Sequence, residues 1–86
     1  MIKPTIGRVV WFRDQRNDPE GQPNAAIVCY VLSDEFVNLI VFDADGHIRR
    51  EQSVVLYQGE GDKPQDMDYC EWMPYQIGQA KKETTV

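Results

Sequence analysis

Four runs of β-branched and aromatic residues occupy most of the chain between residues 6 and 57, and each run predicts a β-strand. In the first run, Val10 and Phe12 alternate with Val9 and Trp11, so this strand is apolar on both of its faces. The same pattern recurs in runs at residues 25–32, 36–42 and 53–57. One sheet face cannot bury both sets. The pattern therefore predicts a small curled barrel whose outer surface is also partly covered, by the tail of the chain or by a partner.

Turn-forming residues separate these runs and set the order of the strands. Residues 14–24 include two prolines and several other turn formers, and they predict a long first loop. Residues 33–35 and 43–46 predict two tight hairpins, the second because its glycine accepts a positive φ. The fourth strand is polar at 47–52 and apolar only at 53–57, so we expect its first half to lie beyond the barrel rim.

The C-terminal part of the chain predicts a short closing strand and a tail. Tyr69, Trp72, Met73 and Tyr75 supply a large apolar area close to Pro74, which ends any pairing in a sheet. The following residues are mostly polar and have little to bury, so we expect at most a turn of helix before the chain frays over 79–86.

These elements predict one domain over residues 1–78, an all-β, five-stranded SH3-like barrel, followed by a short C-terminal tail at 79–86. The alternative is a five-stranded OB-type barrel, which normally has a helix between its third and fourth strands. The sequence shows no helical period between those two strands.

Composition and charge narrow the classes of function. The longest apolar stretch, Ala25 to Leu32, is less than half of the roughly 20 residues that a membrane-spanning helix needs. The first residues lack the apolar region of a secretion signal, so we expect a cytoplasmic protein. Nine Lys and Arg against fourteen Asp and Glu give a net charge of −5, which disfavours direct binding to nucleic acid.

Few residues are candidates for catalysis or metal binding. Cys29 and Cys70 are too few for a disulfide framework or a zinc site, and we expect both to be buried free thiols. Asp43-x-Asp45-Gly46 resembles the start of a calcium loop, but Val54 stands where the twelfth-position glutamate would bind, so a hairpin turn is the better interpretation. His47 has no catalytic neighbour at a known spacing. The sequence therefore predicts no enzyme, no cofactor and no metal site.

Aromatic residues form the first candidate contact surface. The chain has nine of them in 86 residues, more than the interior of one small barrel can enclose. We expect a partner-binding patch of Trp11, Tyr30, Trp72 and Tyr75, because indole and phenol groups supply large contact areas together with a polar atom. Packing of the tail on the barrel is the alternative explanation for the surplus.

An acidic segment forms the second candidate surface. Residues 59–71 carry five acidic side chains against Lys63 alone, a local charge of −4. The predicted acidic loop consists of Glu60, Asp62, Asp66 and Asp68. Such a cluster could bind a cation, or imitate DNA phosphates and occupy the groove of a nucleic-acid enzyme. Its simpler role is to keep a small apolar barrel soluble.

Four segments of the sequence carry a resemblance to a known group of proteins. They are residues 3–11, 22–28, 37–46 and 69–80, and the most specific part is the closing Trp-Met-Pro-Tyr-Gln-x-Gly-Gln-Ala of 72–80. In these segments the chain resembles small proteins encoded by tailed bacteriophages and prophages. The resemblance implies a location in the bacterial host cell, and it carries no activity and no assigned site with it.

Together these observations lead to two expectations for function. The first is a non-enzymatic phage or prophage accessory protein that acts through protein contact, as a homodimer or as a minor assembly factor. The second is an acidic, host-directed inhibitor that mimics the charge of nucleic acid.

Overall fold

The structure is a computed structural model that describes residues 1–16 and 20–84, except for the side chains of 81–84. Part of the predicted first loop, 17–19, and the end of the predicted tail, 85–86, lie outside the described residues. Within the described part the chain forms five strands and one helix: β1 (Val9–Arg13), β2 (Asn24–Ser33), β3 (Phe36–Phe42), β4 (Ile48–Tyr57), β5 (Tyr69–Glu71) and α1 (Pro74–Thr84). The predicted all-β class with five strands is confirmed.

The five strands close into a small SH3-like barrel in the order β1-β2-β3-β4-β5. Consecutive strands from β1 to β4 pair antiparallel, and β5 pairs antiparallel with β1. The pair of β4 and β5 is parallel. A parallel pair needs a long crossover, and residues 58–68 supply it. This crossover is the acidic segment, so the closure of the barrel and the position of that loop are linked.

Alternating side chains of every strand fill the interior of the barrel. The buried set consists of Val10, Phe12, Ala26, Val28, Val37, Leu39, Val41, Val54, Leu56 and Cys70. Strand register places them on one side, since directly paired residues point to the same face: Val10 pairs with Ala26, and Ala26 pairs with Val41. The other alternating set of each strand therefore points outward.

The first half of β4 remains in the sheet, and the prediction that it lies beyond the barrel rim is wrong. Ile48 pairs with Phe42, and the pairing continues to Glu51 opposite Leu39. Backbone pairing does not require apolar side chains, and the inward-pointing Arg49 packs against the core. Its guanidinium lies 5.3 Å from the centre of the Phe12 ring, so it covers one end of the apolar interior.

Helix α1 is longer than the single turn that the sequence predicts, and its backbone is helical through Thr84 in place of a frayed tail from residue 79. Pro74 occupies the first helical position, where its missing N–H is not needed. Gln76 Oε1 accepts a hydrogen bond from Met73 N at 2.8 Å, as in a capping box. Gln76 Nε2 also donates to Val9 O at 2.8 Å, so one buried amide both starts the helix and fixes it to β1.

The side-chain amide of Gln58 joins three distant segments of the chain. Its Oε1 accepts hydrogen bonds from Ile2 N at 3.2 Å and from Trp72 Nε1 at 3.1 Å. Its Nε2 donates to Ile2 O at 2.8 Å and to Asp34 O at 2.9 Å. All four hydrogen-bonding positions of the amide are used. The N-terminal segment, the β2–β3 hairpin and the residue that follows β5 are held together as a result.

We predict that Gln58→Glu lowers the free energy of unfolding by about 2–3 kcal/mol, because a carboxylate cannot donate to the two carbonyl oxygens that Gln58 now serves. Urea denaturation followed by circular dichroism measures the change. Gln79→Glu introduces the same charge at an exposed position of α1 and is the matched control, expected to stay within about 0.5 kcal/mol of the original protein. Equal stability of the two variants would contradict the role of Gln58.

Candidate interaction surface

The outward side chains of β1 to β4 form a continuous apolar surface. One row across the four strands consists of Trp11, Ala25, Phe42 and Ile48. The next row consists of Val9, Ile27, Ile40 and Arg50. Farther along, Tyr30 on β2 and Phe36 on β3 continue the surface on either side of Asn38. We call this set of eleven outward residues the outer apolar face.

Polar groups on the outer apolar face are few. Asn38 is one, and its Oδ1 accepts a hydrogen bond from Ser53 N at 2.8 Å, which supports the irregular backbone of Ser53 at φ 53°. Arg50 is the one charged residue of the set, and it lies at the β4 edge. None of the eleven positions is Asp or Glu, although the whole chain contains fourteen acidic residues. The face is therefore apolar at its centre and free of carboxylates.

Part of the remaining outward surface of the barrel is covered by the chain itself. Over β4 and β5, the Tyr57 hydroxyl donates to Gly61 O at 2.8 Å, and Lys63 Nζ lies 3.3 Å from Glu71 Oε1. Tyr69 is buried beneath this loop, with its ring centre 6.2 Å from that of Tyr57. The sequence predicts a cover formed by the tail or by a partner. On this side the cover is the crossover loop instead, and it covers only one side of the barrel.

The four predicted partner-binding residues do not form one patch. Trp11 and Tyr30 both lie on the outer apolar face, but they are separated by about five residues of β2, or roughly 16 Å. Tyr75 is exposed on α1. Trp72 is only 4% exposed and belongs to the core, with its indole N–H bound to Gln58. The prediction of Trp72 as a contact residue is wrong, because its polar atom and its ring are both already buried.

Most residues of the outer apolar face were missed as contact candidates. Ile27, Ile40 and Phe42 belong to strands that the sequence identifies as apolar on both sides, whereas Ile48 lies in the segment that the sequence identifies as polar. The alternation alone does not say which set points inward, since both sets are equally apolar. The pairing of Val41 with Ala26 and of Phe42 with Ala25 settles the matter, and that information is tertiary.

The predicted acidic loop separates into one structural residue and three exposed ones. Asp68 accepts hydrogen bonds from Arg16 N at 3.1 Å, Nε at 3.0 Å and Nη2 at 2.7 Å. This hydrogen bonding and the charge of Asp68 raise the pKa of Arg16. The Asp68 side chain is 9% exposed, so it anchors the loop and is not available to a ligand. Glu60, Asp62 and Asp66 are exposed.

The Asp43-x-Asp45-Gly46 segment forms the β3–β4 hairpin turn, as predicted. Asp43 Oδ1 accepts hydrogen bonds from the backbone N–H groups of Asp45 at 3.0 Å and His47 at 2.9 Å. Gly46 has a φ of 83°. The carboxylates and the His47 ring come within 4.8 Å of one another, but Val54, at the twelfth position, is a core residue. The geometry is that of a turn stabilised by its own aspartate.

The two cysteines are free and differ in environment. Cys70 is buried as predicted, and burial raises its pKa to about 12. Cys29 is exposed, so the prediction of a buried thiol is wrong at this position. The reason is a register shift between Val28 and Tyr30, where an extra residue turns Cys29 outward beside the outer apolar face.

Comparison of the chain with protein-family models, with curated proteins and with solved structures finds no match in any of the three. In the part of the chain that the structure describes, no helix is both long enough and apolar enough to cross a membrane. The candidate site therefore rests on the geometry of the outer apolar face.

We predict that Cys70 does not react with a thiol reagent while the protein is folded, because burial both blocks access and removes the thiolate near neutral pH. The test uses Cys29→Ser, which leaves Cys70 as the remaining thiol. Labelling with dithionitrobenzoate should be absent in buffer and should reach one thiol per chain in urea. Rapid labelling of the folded variant would contradict the burial of Cys70.

Proposed function

We propose that this protein is a non-enzymatic protein-interaction module and that the outer apolar face is its contact surface. The observation that carries the proposal is the extent of this face, which spans four strands without a carboxylate. Large contiguous apolar patches are rare on soluble monomers and mark contact sites when they occur. Trp11 and Tyr30 add aromatic area, which is typical of the residues that dominate binding energy.

The polar groups near the core support a binding role over a catalytic one. Gln58 and Gln76 use their amides to join segments of the chain, and Glu71 pairs with Arg13 at 2.6 Å. These groups maintain the fold. The resemblance to small phage and prophage proteins supports, as part of the same proposal, an accessory protein that acts in the cytoplasm of a bacterial host.

The exposed carboxylates support a second candidate function. Glu60, Asp62 and Asp66 lie on one loop, and they could act as an electrostatic decoy against a nucleic-acid enzyme. An interaction of that kind weakens strongly with salt, whereas apolar contact does not. The two candidates therefore differ in a measurable way.

Capture experiments with two variants test the proposal. A tagged copy is mixed with bacterial lysate that also contains an untagged copy, so that self-association and binding to other proteins are both detected. Capture should persist at high salt, persist when Glu60→Gln, Asp62→Asn and Asp66→Asn are combined, and be lost with Ile48→Lys. Asp68 is left intact because it binds Arg16.

Ile77→Lys is the matched control for the capture experiment, since it makes the same change at an exposed isoleucine of α1. It should leave capture unchanged. Loss of capture in the loop variant, with Ile48→Lys unaffected, would contradict the apolar-contact proposal and favour the decoy.

A further inference from the structure

We propose that the partner on the outer apolar face is a second copy of this chain, so that two barrels pack face to face in a symmetric dimer. This inference rests on the proposed function and names the partner of the same surface. It is carried by the area of the face, by the distribution of charge around the barrel and by the position of Arg50.

The area of the face is close to what a stable dimer needs. Tyr30 is 57% exposed, Phe36 42%, Val9 40% and Ile48 64%, and Leu32, which borders the face, is 49% exposed. With roughly 150–250 Å² per large side chain, these five residues expose on the order of 450 Å². The half-buried Trp11, Ile27, Ile40 and Phe42 add to it. The total approaches the roughly 800 Å² that each partner buries in a standard interface.

The distribution of charge favours contact between two copies on this side. Two chains with a net charge of −5 repel each other unless their acidic groups stay apart. The closed strand order puts β5 and the crossover loop on the wall opposite β2 and β3. Packing through β2 and β3 therefore keeps Glu60, Asp62 and Asp66 of the two copies on the outside of the dimer.

The chemistry of the face suits a copy of itself. In a symmetric dimer the same patch is used by both chains, so an apolar patch meets an apolar patch of equal size. The one charged residue, Arg50, lies at the β4 edge and not at the centre. It would remain at the rim of the contact, where its guanidinium stays hydrated and needs no buried counter-ion.

The reactivity of the Cys29 thiol can be used to detect the proposed dimer. Its thiol is exposed in the single chain and lies between Ile27 and Tyr30 of the outer apolar face. In the dimer this thiol is covered, whereas Cys70 does not react in the monomer or in the dimer because it is buried. The rate of Cys29 labelling therefore reports whether the face is occupied.

The test combines light scattering after size-exclusion chromatography with thiol labelling of the purified full chain. The original protein should have twice the 10.0 kDa mass of one chain at high concentration and should dissociate on dilution. Ile48→Lys should be monomeric, and Ile77→Lys should remain dimeric. Cys29 should react at least about tenfold more slowly in the dimer than in Ile48→Lys, since labelling follows the monomer fraction.

Each other outcome overturns a defined part of the account. If the original protein is monomeric and captures a different protein, and this capture is lost with Ile48→Lys, then the second copy is ruled out as the partner and the proposed function still stands. A monomer that captures nothing overturns both. A dimer that survives Ile48→Lys, with Cys29 still reactive, overturns the outer apolar face as its interface. Should Ile48→Lys lose its circular dichroism signal, Val9→Lys at the other edge of the face replaces it.

Discussion

A closed five-stranded barrel has one interior, whereas each of its main strands supplies two apolar sets of side chains. The interior takes the set that includes Val10, Ala26 and Val41, and the second set has to be covered by something outside the sheet. At the end of β4 and on β5 the chain provides that cover with its own crossover loop. On β1, β2, β3 and the start of β4 the described part of the chain leaves the second set exposed or half-buried, and the functional proposals follow from that exposure.

Two glutamine side chains determine which apolar groups the chain covers for itself. Gln58 binds the indole of Trp72 and both polar groups of the Ile2 backbone, so the N-terminal segment closes over this tryptophan. Gln76 fixes the start of α1 to the backbone of Val9. The Gln58 amide uses all four of its hydrogen-bonding positions, and the Gln76 amide makes two hydrogen bonds. These directional bonds hold the N-terminal segment at Trp72 and the start of the helix at β1. Neither element is therefore positioned over the outer apolar face.

Much of the fold could be predicted from the sequence, because strands and tight turns are encoded locally. The runs of β-branched residues and the Asp-Gly turn identify β2, β3 and the hairpin after β3. The start of α1 also carries local signals, since Pro74 and Gln76 stand at the first and third helical positions. The polar residues at 47–52 led to a wrong prediction for the first half of β4, because backbone pairing tolerates polar side chains.

The candidate site was less predictable, because it depends on contacts between distant residues. Trp11 and Trp72 look alike in the sequence, but Trp72 is structural because its ring is buried in the core and its indole N–H binds Gln58. The outward position of Cys29 follows from a register shift that no local sequence pattern predicts. The choice of inward and outward sets depends on strand pairing. Sequence reasoning therefore found the surplus of apolar surface but not its location.

The most direct measurement of the central claim is the solvent accessibility of side-chain methyl groups in the dilute protein. A water-soluble paramagnetic agent broadens the NMR signals of exposed methyl groups and spares buried ones. Strong broadening is expected for Val9 and Ile48, which are 40% and 64% exposed, and none for Leu39 and Leu56, which are in the core. Protection of Val9 and Ile48 in a dilute monomer would show that the chain covers its own outer apolar face, and would contradict this expectation.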